Sequence, residues 1–403
     1  MPEAVIVATV RSPIGRAFKG SLAELRADDL AAQMVRAVLA LVPQLPVTDI
    51  EDLMLGCGLP GGEQGFNMAR VVSLLAGIGT VPGTTVNRYC SSSLQTIRMA
   101  AHAIRSGEGD AFIAAGVECV SRFVKGNSDS LPGTENPAFE QAKARSAAGL
   151  VDGVSRWMPG VGLPDIYIAM GQTAENVAQV EQVTRAEQDL FAFESQHNAA
   201  RASEQGFWER DITPVALPDG RIVSVDDGPR PETTLDDLAR LKPVFRADGT
   251  VTAGNACPLN DGAAAVVVMS DTRARELGIT PLARIVASAV TALNPEIMGL
   301  GPIDACRKAL QRAGLTIADV DLVEINEAFA AQVVPSMKHL GITRDKVNVY
   351  GGAIALGHPF GMTGARIMTT LIHGLQERDA TFGMESMCVG GGQGMAMIIE
   401  RLS

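Results

Sequence analysis

Short apolar runs recur along the chain, at Ala4–Thr9, Ile50–Leu55, Ala111–Ala115, Ala264–Met269, Ala283–Ala287, Val320–Ile325 and Met395–Ile399. Brief runs of this kind, with little polar alternation, predict strands covered on both faces. Between them, Leu30–Leu41 and Ile303–Ala313 repeat apolar positions at three- and four-residue intervals, which predicts helices. Strands alternating with amphipathic helices predict an α/β layered architecture.

The order of elements repeats. Ala4-Val5-Ile6-Val7-Ala8 is echoed by Ala283-Arg284-Ile285-Val286-Ala287, and each run leads through a Pro-containing turn to a helix. Ile50-Glu51-Asp52-Leu53-Met54 is echoed by Val320-Asp321-Leu322-Val323-Glu324, and Val86-Asn87 by Val347-Asn348. A duplicated α/β half is therefore expected. The segment from about 122 to 251 breaks the pattern. It is rich in Gly, Pro, Ser and charge, irregular from Lys125 to Pro164, with one helical run at Thr184–Glu204. It reads as a loop domain inserted between the halves, and such excursions often carry substrate contacts. The expected division is 1–121 plus 252–272 for the first half, 122–251 for the loop domain, and 273–403 for the second half.

Composition narrows the class. The chain has 403 residues, 46% hydrophobic and 20% charged, which fits a well-buried globular protein. A net charge of −11 argues against a broad basic face for nucleic acid, so an anionic ligand would need a local cluster of cations. Six cysteines without a CxxC pair or zinc spacing suit a reducing compartment and predict no metal site. No apolar stretch approaches the ~18–20 residues of a membrane span. No signal peptide precedes the first strand, and Arg401-Leu402-Ser403 is not a peroxisomal tripeptide. The cytoplasm is the expected location.

Four segments offer chemistry. In Thr85-Val86-Asn87-Arg88-Tyr89-Cys90-Ser91-Ser92-Ser93 a strand enters a small-residue turn, and a helix with Leu94, Ile97, Ala101 and Ile104 on one face leaves it. Cys90 at that helix start faces unpaired amides that favour a thiolate, the setting of an activated nucleophile; the alternative is a small buried cysteine. In Gly351–Gly361, glycines flank His358 and Pro359 stiffens the turn presenting it. Such a histidine suits proton abstraction from a thiol, although a lone loop histidine more often just satisfies a hydrogen bond. The remaining histidines (102, 197, 339 and 373) lie in helix-like runs and read as structural. Cys388-Val389-Gly390-Gly391-Gly392-Gln393-Gly394 leads into a strand rather than a helix, so it is no dinucleotide fingerprint. Its glycine amides beside a thiol suit an oxyanion pocket. Asn326 and Glu327 at a strand's end read in isolation as a helix cap with a first-turn acid.

Together these segments resemble the thiolase family over nearly the whole chain. NRYCSSS at 87–93, NEAFA at 326–330, GGAIALGHPFG at 351–361 and CVGGGQG at 388–394 are similar to its four active-site motifs, in order. GTVTAGNA at 249–256, NDGAAA at 260–265 and MGQTAENVA at 170–178 add to the match. The resemblance implies duplicated βαβαβαββ halves in five αβαβα layers with an inserted loop domain. It also implies CoA-dependent retro-Claisen cleavage of 3-oxoacyl-CoA to acetyl-CoA and a shortened acyl-CoA. By this resemblance Cys90 is the nucleophile that becomes acylated, and His358 its base. Asn326 fixes a water beside the acetyl thioester oxygen, and Cys388 moves the proton at C2. The amides of Cys90 and Gly390 form a second oxyanion hole. Arg230 matches an arginine packing on the CoA adenine. Cys257 replaces a common serine near the pantetheine. Ala169-Met170 matches a His-Met pair of the acetoacetyl-CoA enzymes, without its histidine.

EQGFNMAR at 63–70, IMGLGP at 297–302 and NEAFAAQ at 326–332 resemble the bacterial β-oxidation branch, so an acetyl-CoA C-acyltransferase is expected rather than the acetoacetyl-CoA enzyme. Coenzyme A serves as substrate, and no metal or redox cofactor is implied. A homodimer or homotetramer, and a possible hydratase–dehydrogenase partner, follow from the same resemblance. Two rivals are a decarboxylating or condensing synthase, which would lack Cys388, and a non-catalytic CoA-binding subunit, which would not need the full set.

Overall fold

The computed structural model describes residues 2–126, 129, 131–151 and 157–403. The first half supplies strands β1 (Ala4–Arg11), β2 (Ile50–Gly56), β3 (Gly83–Val86), β4 (Ala111–Cys119) and β5 (Asn260–Ser270). The second supplies β6 (Ala283–Ala292), β7 (Leu322–Ile325), β8 (Phe382–Val389) and β9 (Gln393–Arg401). With the two-residue strand Gly15–Arg16 paired to β5, they form a ten-stranded sheet ordered β7-β8-β9-β6-β1-β5-β4-β2-β3.

Outward from the central β1–β6 pair, the two halves have the same order. β1 and β4 flank β5 antiparallel, and β2 then runs parallel to both β4 and β3. Likewise β6 and β8 flank β9 antiparallel, β7 runs parallel to β8, and a single parallel bridge from Val323 to Val347 stands where β3 would be. The duplication expected from weak sequence echoes is thus explicit in the register. Among the described residues, two strand pairs, Val5–Arg284 and Ile6–Ala283, join the halves edge to edge.

Helices fill three layers around these strands. The first half carries α1 (Ala27–Ala40), α2 (Met68–Leu75) and α3 (Ser92–Ser106). Next come α4 (Met170–Val180) and α5 (Arg185–Glu204), then α6 (Gly301–Ala313), α7 (Ala330–Leu340) and α8 (Thr363–Glu377) in the second half. Side-chain alternation along the strands sorts the core. Val266 and Val268 of β5 and Met395 and Met397 of β9 pack on Ile97 of α3 and Met368 of α8. The alternate positions of β5, Val267 and Met269, face α1 and α2, and Ala396 and Ile398 of β9 face α6 and α7. The result is five layers with α3 and α8 in the middle. Each fully buried aliphatic side chain there contributes roughly 1.5–3 kcal/mol of burial, which outweighs the weak helix propensity of the Ser- and Thr-rich helix starts. The two central helices touch backbone to backbone: a Cβ on Gly364 would lie 2.3 Å from the Leu94 nitrogen.

The region 122–251 holds more helix than expected. Besides α5, whose start is secured by a Thr184–Glu187 capping box, it contains α4 and the helices Glu140–Val151, Phe207–Asp211 and Leu235–Ala239. The helix Glu140–Val151 falls inside the stretch read as irregular. It has mainly small and charged residues and no apolar stripe to betray it. Residues 127, 128, 130 and 152–156 of that stretch lie outside the described residues. Among the described residues no helix is long and apolar enough to cross a membrane.

Candidate active site

The β3 strand ends in a tight turn, Tyr89–Ser91, from which α3 departs. Tyr89 takes a left-handed conformation (φ 42°), held by its N–H donating to Asn87 Oδ1 at 2.8 Å. The Ser92 hydroxyl accepts from the Arg88 N–H at 2.9 Å and donates to the Tyr89 carbonyl at 2.6 Å. This knot places Cys90 at the head of α3, where the amides of Gly390 and of Cys90 itself favour its thiolate. Burial nonetheless pushes the thiol up to about 11. The helix start alone therefore does not yield a resting thiolate here. Desolvation outweighs the amides.

His358 sits in a loop whose backbone is dictated by its neighbours. Its N–H donates to Asn260 Oδ1 at 3.0 Å, and Gly357 before it has φ 119°, where a Cβ would strike the Asn260 amide. Nδ1 lies 2.6 Å from Thr363 Oγ1, and that hydroxyl donates to the Pro359 carbonyl at 2.8 Å. The network puts the imidazole proton on Nδ1 and leaves Nε2 as the basic atom. Burial, and secondarily Arg366, hold His358 down to about 3, so it is neutral at pH 7. Nε2 stands 3.3 Å from Asn326 Nδ2.

Asn326 follows β7. Its N–H donates to the Ser386 carbonyl at 2.9 Å and its carbonyl accepts from Gln332 Nε2 at 2.6 Å. Its side-chain Oδ1 is buried without a partner. The helix-cap reading of Asn326-Glu327 does not hold, because α7 starts only at Ala330 behind Phe329. Glu327 is instead a buried clamp. It accepts from Ser195 Oγ at 2.6 Å, Asn348 Nδ2 at 2.8 Å and the Ile354 N–H at 3.1 Å, tying the 351–361 loop down.

Cys388, near the end of β8, is fully buried against Ala328, Phe329 and Met298. Burial raises its thiol well above the ordinary range, and the nearby Cys90 and Cys257 add to the rise. Cys257 donates its N–H to the Ala328 carbonyl at 3.0 Å, and burial raises its thiol as well. Met170, the first residue of α4, packs on the same cluster. The structure thus brings Cys90, Gly390, His358, Asn326, Cys388, Cys257 and Met170 to one locus. Arg230 is exposed at a cleft of about 540 Å³ shared with Arg16, whose lining includes Pro258 and Ile354, next to that locus. A second cleft of about 480 Å³ is lined by Ala169, Ile168, Trp157 and Met158 on the α4 side.

Sequence reasoning missed several supports. Glu118 accepts from the Gly58 and Gly361 amides at 2.7 and 3.0 Å, Gln64 Nε2 at 2.7 Å and the Leu59 amide at 3.3 Å. A lone acid inside the apolar run Ala111–Cys119 was the available signal. Thr363, five residues past His358, and Asn260 inside NDGAAA carried signals of proximity and motif. Asn348, which pairs with Glu327, carried only its echo of Asn87.

The comparisons with known proteins agree on one family. Residues 4–272 match the model described as "Thiolase, N-terminal domain", and residues 279–401 match "Thiolase, C-terminal domain". The chain is 44% identical over 410 residues to a 3-ketoacyl-CoA thiolase of Marinomonas sp. (strain MWYL1), covering 99% of this chain and 98% of that protein. It is also 44% identical over 414 residues, 100% of both chains, to the 3-oxoadipyl-CoA/3-oxo-5,6-dehydrosuberyl-CoA thiolase of Escherichia coli (strain K12). The crystal structure of the Bacillus anthracis acetyl-CoA acetyltransferase superimposes with a TM-score of 0.87 at 39% identity, over 100% of this chain and 99% of that one. With both halves matched, the layers in family order and the four motif segments folded onto one locus, the chain belongs to the thiolase family.

Proposed function

We propose that this thiolase is a 3-ketoacyl-CoA thiolase that cleaves 3-oxoacyl-CoA with CoA, through an acyl group carried on Cys90. The carrying observation is the convergence of a thiol near two amides, a buried neutral histidine whose Nε2 faces Asn326 Nδ2, and an Asn326 oxygen buried without a partner.

His358 Nε2 takes the Cys90 proton as the sulfur attacks the 3-oxo carbon. The thiol is held up to about 11 and the imidazole down to about 3. Proton transfer and C–S bond formation therefore run together, without a long-lived free thiolate. The tetrahedral oxyanion is stabilised by the Cys90 and Gly390 amides, donors typically worth ~10²–10³ in rate each. Collapse breaks the C2–C3 bond and expels the acetyl-CoA enolate. Its oxygen is held by the His358 N–H and by a water on Asn326, and Cys388 gives its proton to C2. The resulting Cys388 thiolate then deprotonates the incoming CoA thiol. CoA attacks the acyl carbon, Cys90 leaves and recovers its proton from His358, and a two-carbon-shorter acyl-CoA departs.

CoA enters by the cleft between Arg230 of the loop region and Arg16, Pro258 and Ile354, the adenine against the Arg230 guanidinium and the pantetheine running past Cys257. The acyl chain runs past Met170 toward the cleft at Ala169, where the small side chain leaves room for more than four carbons. A cytoplasmic homodimer or homotetramer taking part in fatty-acid β-oxidation completes the proposal. Purified protein is mixed with CoA and 3-oxoacyl-CoAs from four to sixteen carbons, plus 3-oxoadipyl-CoA, for wild type and Cys90→Ala. Cleavage peaking above four carbons and abolished in the variant is expected. Activity confined to the four-carbon substrate overturns the degradative reading, and no cleavage at all overturns the enzyme.

A further inference from the structure

Beneath the reacting groups lies a buried charge cluster that the mechanism does not use. Glu324 on β7 and Glu385 on β8 are in-register neighbours on adjacent parallel strands, so their side chains share a face. That face is the middle layer: Leu322 of β7 and Met387 and Val389 of β8 on the same alternation pack in the central core, whereas Val323 and Met384 pack outward. Arg366 of α8 is in that layer too, and all three side chains are at most 1% exposed. Arg366 Nε and Nη1, Glu324 Oε1 and both Glu385 carboxyl oxygens have no hydrogen-bond partner.

Two ionised carboxylates in register on neighbouring strands, with one guanidinium nearby, leave a net charge of −1 in a dry site. Ionising both there is costly, because each carboxylate raises the cost of the other and burial adds to it. The surroundings do not supply the missing cation. Asp211 and Glu327 add negative charge, and Arg11 is already committed to Asp211 and Asp226. Arg344 is committed to Glu194, and the neutral Tyr350 hydroxyl also lies near.

We propose that Glu324 and Glu385 carry one proton between them beside Arg366, and that this trio is a positioning device for the thiolase reaction. The inference rests on the function proposed above. Asn326 lies two residues beyond Glu324 on the same strand alternation. Thr363, which orients His358, lies one helical turn before Arg366. With one proton shared the trio is neutral overall, and β7, β8 and α8 close together. When that proton is lost, repulsion between the two carboxylates moves the strand end and the helix turn that carry the catalytic geometry. Burial does raise both carboxyls, Glu324 to about 8.

The test is the pH profile of kcat for wild type and Glu385→Gln, the amide standing in for the protonated acid. Expected is kcat within about twofold of wild type at pH 7, an unchanged KM for CoA, and an alkaline limb moved up by about one pH unit or more. An alkaline limb identical to wild type overturns the proposal. Infrared spectroscopy of the wild type, needing neither substrate nor a folded variant, is the second measurement. A buried protonated-carboxyl C=O band at neutral pH that disappears on alkaline titration is expected, and its absence overturns the shared proton. If the wild type cleaves no 3-oxoacyl-CoA, the reaction falls while the infrared band still decides the carboxyl pair.

Discussion

Glu118 and Cys388 occupy the same place in the two copies of the repeated half. Each lies two residues past the last parallel pair of its strand, Gly56–Gly116 in one copy and Ile325–Ser386 in the other. Each is opposite a glycine on the antiparallel neighbour, Gly262 or Gly394. Their surroundings differ completely. Glu118 accepts hydrogen bonds from two loops and Gln64, whereas Cys388 is packed among apolar side chains beside two other thiols. One copy spends the position on holding loops still. The other buries a thiol there among apolar side chains, the thiol proposed to move the proton at C2.

Four measurements break or sharpen that contrast. The largest effect is expected for Cys388→Ala, which removes proton transfer at C2. Its kcat should fall by ~10²–10⁴, with only a small drop in the urea midpoint from the lost sulfur packing. A large loss of stability instead would make Cys388 a packing residue like any other. Glu118→Ala should behave the opposite way. It strands the amides of Gly58, Leu59 and Gly361 and costs about 3–5 kcal/mol in urea unfolding. Full stability in this variant would contradict the clamp.

Third, the two groups should give stability slopes of opposite sign that cancel between about pH 4.5 and 6.5, leaving a fall below that range from His358 and a fall above it from Glu324. His358 is lowered from 6.5 to about 3 in the fold, so the unfolded chain binds the extra proton between those values, and stability drops as pH falls through that window. Glu324 is raised from 4.5 to about 8, so the folded protein holds the extra proton, and stability drops as pH rises through that range. Thermal melts of wild type, His358→Asn and Glu324→Gln would separate the two. Loss of neither slope in its variant would refute the assignment. The smallest effect is expected at the rim: Arg230→Ala should raise KM for CoA about three- to tenfold through lost cation–π contact, with kcat unchanged.

Much of this was readable in advance, for physical reasons. Strands buried on both faces announce themselves as apolar runs, so β1, β2, β4 and β5 were legible. β8 was not, because Gly383, Glu385 and Ser386 interrupt it, although nearly all of it is buried. Cys90, His358 and Cys388 were findable because each sits in a turn of small or glycine residues that stands out in sequence, serine-rich at 91–93 and glycine-rich at 351–361 and 390–394. Arg366 and the Arg11–Asp211–Asp226 cluster were not. Partners within that cluster lie up to 215 residues apart, and a charge buried by such partners looks locally like an ordinary surface charge.

The backbone contact between Gly364 and Leu94 has an electrostatic consequence. It brings the amino-terminal ends of α3 and α8 together, and the Ala365 N–H even donates to the Ser93 hydroxyl at 2.9 Å. Each such end carries roughly half a positive charge from its aligned peptide dipoles. Two of them converging amount to about one built-in elementary charge, supplied by main chain alone and impossible to titrate away. In the proposed reaction every transient species near Cys90 is an anion: thiolate, tetrahedral alkoxide, enolate. A protein that places no lysine or arginine among its reacting groups meets that sequence of negative charges with a field that no change of pH can switch off.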